Sequence, residues 1–328
     1  TVYHNADGTK SFSFSATQDF SEISFSGATI YKTVTASGSN TLTTIPRVSK
    51  FDTWSFTFTP SSAKMNFYIT AGSTAFTHRL RVDLVSSGSS HDFLIDQWNY
   101  RVDSVNKRKD FTYTLNASQI TKLLNAMKST NTLRLRTYMA TYNGSTLIGE
   151  LESWANATVD ASSVAPKFTD FSFGDGENLA AVVGLPQGEM IGGLSRFQFM
   201  ISSAQKAAAQ YGAVMSKYVL SVGNLSKEVS YGTGEKPAVD LGALTQTGTL
   251  TASVKAVDSR GNQTTVTKQV VVHPYAPPLS SASVARVNNY ERETKLLISG
   301  EFTSVGTNAV TAQYRYSEQQ EQGEWISV

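Results

Sequence analysis

Apolar and polar residues alternate with period two along most of this chain. Phe12, Phe14 and Ala16 share one face, Ile23 and Phe25 repeat the pattern, and Trp54, Phe56 and Phe58 are separated by Ser and Thr. Such alternation predicts strands packed on one face and wet on the other. Further strands are predicted at Asn66 to Thr70, Phe76 to Leu84, Leu133 to Tyr138, Thr146 to Val159, Tyr218 to Val222, Thr249 to Val257, Val266 to Val272, Leu296 to Gly300 and Ala312 to Tyr316. Turn chemistry joins several of them. Asn5 to Gly8 makes a hairpin of Thr1 to Ala16, Tyr142-Asn-Gly-Ser145 makes another, and Asp258 to Asn262 a third.

One stretch has a helical period instead. Asn116 stands as a cap with Gln119 three residues on, and Ile120, Leu123, Leu124 and Met127 fall at i, i+3, i+4 and i+7. Such a short helix is expected to close an open end of a sandwich. The Ala-rich run Ser203 to Gly212 has helix propensity, and both a short helix and a long loop stay open there.

Three proline-marked joints, Leu42 to Pro46, Val164 to Pro166 and Tyr275 to Pro278, each close a strand-like run. Proline cannot donate to a strand ladder, so these positions mark domain exits. The expected domains are residues 1–48, the C-terminal part of a β-domain; 49–160, a β-sandwich with a short helix near 117–128; 161–274, an immunoglobulin-like sandwich; and 275–328, the start of a further, incomplete sandwich. The fold class is all-β, with tandem immunoglobulin-like or fibronectin-like sandwiches and one short helix inserted in the second domain.

Composition narrows the function. The 328 residues are 40% hydrophobic and 16% charged, which suits folded Ser/Thr-rich sandwiches rather than a disordered chain. The formal charge of +2 leaves no sustained basic face, and Lys107-Arg108-Lys109 is offset by Asp103 and Asp110. Nucleic acid is therefore not expected as a partner. With no cysteine there is neither an inter-sheet disulfide nor a thiolate metal site, so apolar cores must hold the domains. No apolar run reaches about 18 residues, so no membrane span is expected. Thr1 opens without a charged-then-apolar leader, and the chain reads as a piece of a longer protein.

Catalytic chemistry finds little footing. Ser89-Ser90-His91-Asp92 holds triad residue types, but neighbours on an extended chain point to alternate faces, and no Gly-x-Ser-x-Gly elbow occurs. His4, His78, His91 and His273 lack metal-ligand spacing. Phe173-Gly-Asp-Gly-Glu-Asn178 and Asp258 to Asn262 could offer oxygen ligands to calcium, yet ordinary turns demand the same residues. No paired carboxylates for glycoside cleavage can be identified, and no glycine-rich phosphate or dinucleotide loop occurs. No cofactor is expected and the chain is read as non-enzymatic. Aromatics give the binding signal. Trp98-Asn-Tyr100, beside the 107–131 insert, makes Trp98 and Tyr100 the candidate ligand-binding pair, able to stack on sugar rings if exposed. Tyr138 and Tyr142 flank a hairpin nearby, whereas Trp54, Trp154 and Tyr218 sit on alternating strands and are read as core.

Four pieces in order, Thr1 to Ser11, Leu42 to Arg47, Tyr142 to Gly149, and Val257 to Gly261 with Tyr275 to Pro278, resemble the minor structural proteins of siphovirus tails from phages of streptococci and related Gram-positive bacteria. The resemblance runs along nearly the whole chain. It implies a virion tail component, at the tail tip or in a fibre, that forms homo-oligomers, meets other tail proteins and copies of itself, and contributes to attachment to host cell-wall polysaccharide. It maps no binding residues. The 107–131 insert and the Ala-rich 204–209 run depart from the family pattern. A bacterial surface adhesin or an array of carbohydrate-binding modules is the alternative.

Overall fold

The computed structural model describes residues 2–4, 10–12, 47–85, 88–232, 236–289, 292–316 and 323–327. Two short strands, β1 (Val2–His4) and β2 (Lys10–Phe12), pair antiparallel as the first hairpin pattern requires. The expected turn at Asn5 to Gly8, the strand at Ile23 to Phe25 and the joint at Leu42 to Pro46 lie outside the described residues. The chain forms two compact units, Thr1–Val164 and Ala165–Val328.

After β1 and β2, the strands of the first unit are β3 (Lys50–Thr53), β4 (Phe56–Phe58), β5 (Lys64–Thr70), β6 (Phe76–Asp83), β7 (Phe93–Tyr100), β8 (Arg108–Thr114), β9 (Thr132–Asn143) and β10 (Thr146–Val159). They make a three-stranded sheet, β3-β5-β8, and a five-stranded sheet, β4-β10-β9-β6-β7. All pairs are antiparallel except β4 with β10. Alternate residues Met65, Phe67 and Ile69 of β5 and Leu80 and Val82 of β6 are wholly buried or nearly so and share one core with Leu135 and Met139 of β9. This is the period-two pattern converted into a closed interior.

Helix α1 (Ala117–Ala126) links β8 to β9 and adds Ile120, Leu123 and Leu124 to that core, joined by Met127 at its C-cap. Its capping box closes as the sequence pattern requires: Gln119 N–H donates to Asn116 Oδ1 at 3.0 Å, and Gln119 Oε1 accepts from Asn116 N–H at 3.0 Å. Gln119 also donates to the Leu94 carbonyl at 3.0 Å, which fixes the helix to the start of β7.

The second unit contains β11 (Ser172–Asp175), β12 (Glu189–Ile191), β13 (Arg196–Ile201), β14 (Met215–Val222), β15 (Leu225–Ser230), β16 (Lys236–Ala243), β17 (Gly248–Asp258) and β18 (Gln263–His273). Its sheets are β11-β13-β16 and β12-β18-β17-β14-β15, with β12 and β18 parallel. Phe171, Phe197, Phe199 and Tyr218 centre its core. Counting β3 to β10 and β11 to β18 each from one to eight, both sets have a 1-3-6 sheet and a 2-8-7-4-5 sheet, with the parallel pair at strands two and eight. The two eight-stranded sandwiches are therefore two copies of one strand plan.

The same unit continues into β19 (Leu279–Arg286) paired with β20 (Thr294–Glu301), and β21 (Gln313–Tyr314) paired with β22 (Ile326–Ser327). The strand pairing makes the protein all-β with immunoglobulin-type sandwiches, and one α-helix joins the one expected. A four-residue helix, α2 (Leu179–Val182), forms where the Asp175 carboxylate accepts from Ala180 N–H at 3.0 Å. One turn is too short to leave a 3.6 period in the sequence. In the Ala-rich run only Ser203–Gln205 is helical, as a single 3₁₀ turn, and Ala208 then pairs with Lys167.

Candidate functional site

The outer face of the first unit's five-stranded sheet is built from the residues that alternate with its core. On β6 these are Arg79 and Arg81; on β9, Arg134, Arg136, Tyr138 and Tyr142; on β10, Glu150, Glu152 and Trp154; and on β7, Asp96 and Trp98. Trp98 is 41% exposed. Its ring lies 5.0 Å from that of Tyr142, and the Arg79 guanidinium sits 4.6 Å from its centroid. Arg79 also grips Asp96 with a two-pronged fork, Nε to Oδ1 at 2.6 Å and Nη2 to Oδ2 at 2.5 Å. That fork raises the Arg79 pKa and lowers that of Asp96, so both stay charged across the ordinary pH range.

Trp98 and Tyr100 do not share a face. His78 pairs with Tyr100 and Leu80 with Gln97, so Trp98 and Asn99 together stand opposite Arg79 alone. This is a β-bulge, and Asn99 takes it up in the left-handed region at φ 72°. The extra residue leaves Trp98 outside and turns Tyr100 inward, where its ring meets Phe67 at 4.9 Å and Phe111 at 5.3 Å. Burial, helped by nearby Tyr113, pushes the Tyr100 phenol up to about 12. Asn99→Val is expected to cost about 1–2 kcal/mol, because a β-branched side chain resists the left-handed region, while Asn99→Gly leaves stability nearly unchanged. Chemical denaturation with Trp98 fluorescence checks both.

Below the bulge the inward His78 is fully buried, and burial lowers its pKa. Its Nδ1 donates to the Tyr100 carbonyl at 3.0 Å, which leaves Nε2 to accept from the Ser49 hydroxyl at 2.8 Å. The neutral ring thus pins the bulged end of β7 and the segment entering β3.

Further along the face, Asp83 is fully buried. Burial alone would raise its pKa, but the N–H groups of Asp92 (2.8 Å) and Val85 (3.0 Å), with His91 Nδ1 (2.7 Å) and Arg136 Nη2 (3.2 Å), outweigh it and hold the carboxyl at about 2. Arg81 and Arg136 lie over the Tyr138 ring at 5.6 and 5.2 Å, and Arg134 over Trp154 at 4.2 Å. Stacking explains why the buried Nε atoms of Arg81 and Arg136 have no hydrogen-bond partner among the described residues. Arg81 also pairs with Glu150.

The second unit is an internal control. At the matching outward positions it carries Lys217, Val219 and Ser221 on β14, Thr251, Ser253 and Lys255 on β17, Thr265, Thr267 and Gln269 on β18, and Ser226, Glu228 and Ser230 on β15. None is aromatic or arginine. The strand plan itself does not require an arginine–aromatic face. Chemically the exposed Trp98 ring, with Tyr142 beside it, offers aromatic surface for the apolar face of a sugar, rimmed by guanidinium and carboxylate groups for its hydroxyls.

Other sequence candidates resolve as follows. His91 bonds Asp83 rather than Ser89 or Ser90, and Asp92 pairs with Lys122 at 2.5 Å. Both Asp175 oxygens accept from internal donors, the N–H groups of Glu177, Ala180 and Arg196 and the Ser195 hydroxyl, which makes this segment a turn. Asp258 Oδ1 likewise accepts from Arg260 and Asn262 N–H at 2.9 Å each. Among the described residues no cluster of three His, Cys, Asp or Glu is placed to hold a metal ion. Tyr218 is core, with its hydroxyl accepting from Ala207 N–H at 2.9 Å, and Trp154 is half-buried beneath Arg134. Trp54 is not core: it is 39% exposed beside Tyr68, with Arg108 over both rings, because β4 begins only two residues later and the chain leaves the sheet there. Arg79, Asp96, Asp83 and Arg136 escaped sequence reasoning. Their signal is the period-two run of arginines in Thr77 to Asp83 and Arg134 to Tyr138.

A family model described as "Siphovirus protein of unknown function (DUF859)" matches residues 1–304. Among curated proteins none matches. Solved structures similar to the chain include red sea bream transglutaminase (10% identity, 69% of this chain, 31% of that one, TM-score 0.27), fibronectin(III)-like modules of Clostridium thermocellum CbhA (11%, 69% and 95%, 0.26) and a tetra-tandem repeat from the extending region of a large adhesion protein (12%, 85% and 72%, 0.30). The chain thus spans under a third of the transglutaminase chain. At these TM-scores the assignment of the fold rests on the chain's own strand pairing.

Proposed function

The chain belongs to the siphovirus protein family DUF859, and on that premise we propose that it is a non-enzymatic structural component of the phage tail, in the tail tip or a tail fibre. In this reading residues 1–48, 49–160, 161–274 and 275–328 are modules of a homo-oligomer that contacts other tail proteins. The first complete sandwich also attaches the particle to cell-wall polysaccharide of a streptococcal or related Gram-positive host. No helix of the described residues is long and apolar enough to cross a membrane.

One observation carries the attachment role: two sandwiches share a strand plan, and only the first bears the arginine–aromatic face around Trp98. A single shallow sugar site near 1 mM supplies only about 4 kcal/mol, and linked copies gain roughly 10²- to 10⁴-fold in avidity. Oligomerisation therefore belongs to the same proposal.

Labelled protein applied to a panel of Gram-positive strains, with its mass measured by light scattering, tests the reading. Strain-selective binding by an oligomer is expected. Trp98→Ala should lower binding at least about tenfold, roughly 1.4 kcal/mol per site, without changing the melting temperature materially. Tyr100→Phe should leave binding intact. A monomer that binds no strain would overturn the attachment role.

A further inference from the structure

The Trp98 platform lies at one end of its sheet, and two cations at that end have no ion-pair partner among the described residues. β7 stops at Tyr100 and Arg101 follows directly. The connection from there to β8 is tied back by Asn106 N–H, which donates to the Ala71 carbonyl at 2.9 Å in the link leading into β6. Phe76 pairs with Asn143 and Thr77 with Tyr142, so the links 71–75, 101–107 and 144–145 gather at this one end. Arg101 and Lys107 are both exposed, and neither has an ion-pair or hydrogen-bond partner among the described residues. Their neighbours are different: Arg108 is held by Asp110 at 2.6 Å and Lys109 by Asp103 at 3.1 Å.

Residues 47–164 contain 13 Lys and Arg against nine Asp and Glu. On the platform itself Arg79, Arg81 and Arg136 are matched by Asp96, Glu150 and Asp83. Arg101 and Lys107 are among the cations of this unit that no acid matches, and they are the two that the chain places at the Trp98 end. A sugar-sized aromatic surface at the same end as two unpaired cations fits a ligand that has both a ring and a negative charge. We propose that the Trp98 end of this sheet binds an anionic glycan, whose sugars carry phosphate or carboxylate groups, with Arg101 and Lys107 meeting the charge and Trp98 the ring. This rests on the attachment reading above and names its ligand class.

The full chain is titrated with three dextrans of equal length, one neutral, one phosphorylated and one carboxymethylated, and in parallel with whole host cells. An anionic dextran is expected to bind about tenfold more tightly than the neutral one at low salt, with the difference collapsing near 0.5 M salt. Which anionic dextran binds identifies the charged group. The double variant Arg101→Gln/Lys107→Gln, at exposed positions where folding should be unaffected, is expected to lose about tenfold on the anionic dextran or on cells and nothing on the neutral dextran. Equal affinity for all three dextrans, or anionic or cell binding indifferent to the double variant, overturns the anionic ligand and leaves the attachment reading standing. Failure to bind any dextran and any cell overturns both.

Discussion

Asp83→Ala is expected to destabilise the first unit by about 3–5 kcal/mol, because it leaves Arg136, only 9% exposed, without its carboxylate. The removed oxygens also orphan the N–H groups of Val85 and Asp92 and the Nδ1 of His91. Thermal or chemical denaturation of wild type and variant gives the number, and a loss under 1 kcal/mol would mean that Arg136 finds water instead. The same carboxylate makes stability depend on pH in a defined direction. Its folded pKa of about 2 lies below the ordinary 3.8, so its contribution is fully present above about pH 4 and is lost as pH falls through 2. One of its partners, His91, is open to solvent, which limits this contribution to about 1–2 kcal/mol. Asp83→Asn should flatten that stretch of the stability–pH curve.

A comparable loss follows from Phe67→Ala. Phe67 is fully buried, stacked on Phe111 at 5.3 Å and edge-on to Tyr100 at 4.9 Å and Phe51 at 6.3 Å. Removing the ring deletes apolar surface and several aromatic pairs and leaves a cavity between the two sheets, a cost of about 3–5 kcal/mol. A second readout separates cavity from collapse. With Phe67 gone, water reaches Tyr100, and its phenol should titrate below about 12, toward the ordinary 10.0, in ultraviolet pH titration. An unmoved titration with full loss of stability would mean that the core closes over the gap.

How much of this was readable in the residues depends on range. Local signals held well: Asn116 and Gln119 announce the capping box, and the period-two runs place most strands. Tyr142-Asn-Gly-Ser145 marks the turn between β9 and β10 within a residue or two. Pairing was not readable. That Trp98 and Tyr100 part company follows from Arg79, about 20 residues earlier, facing two residues of β7 at once; nothing in Trp98-Asn-Tyr100 shows which neighbour it will meet. Asp83 looks like an ordinary polar end of a strand until Arg136 and the loop of His91 arrive from elsewhere in the chain. The shared strand plan is equally invisible. A sandwich asks of its strands only that alternate residues be apolar, and many unrelated sequences satisfy that.

Two copies of one architecture let a chain divide its obligations. Once a sandwich is present twice, much of its outer surface can diverge in one copy while each interior is kept, and the buried Asp83–Arg136 pair is the part of the first unit's face that its fold uses. The outward positions of the second unit, mostly Ser, Thr and Lys, show the same strand plan without the arginine–aromatic set. That face also offers a recipient: transplanting the arginine–aromatic set onto β14, β15, β17 and β18 asks whether the proposed recognition travels with the surface, independently of the scaffold that first displayed it.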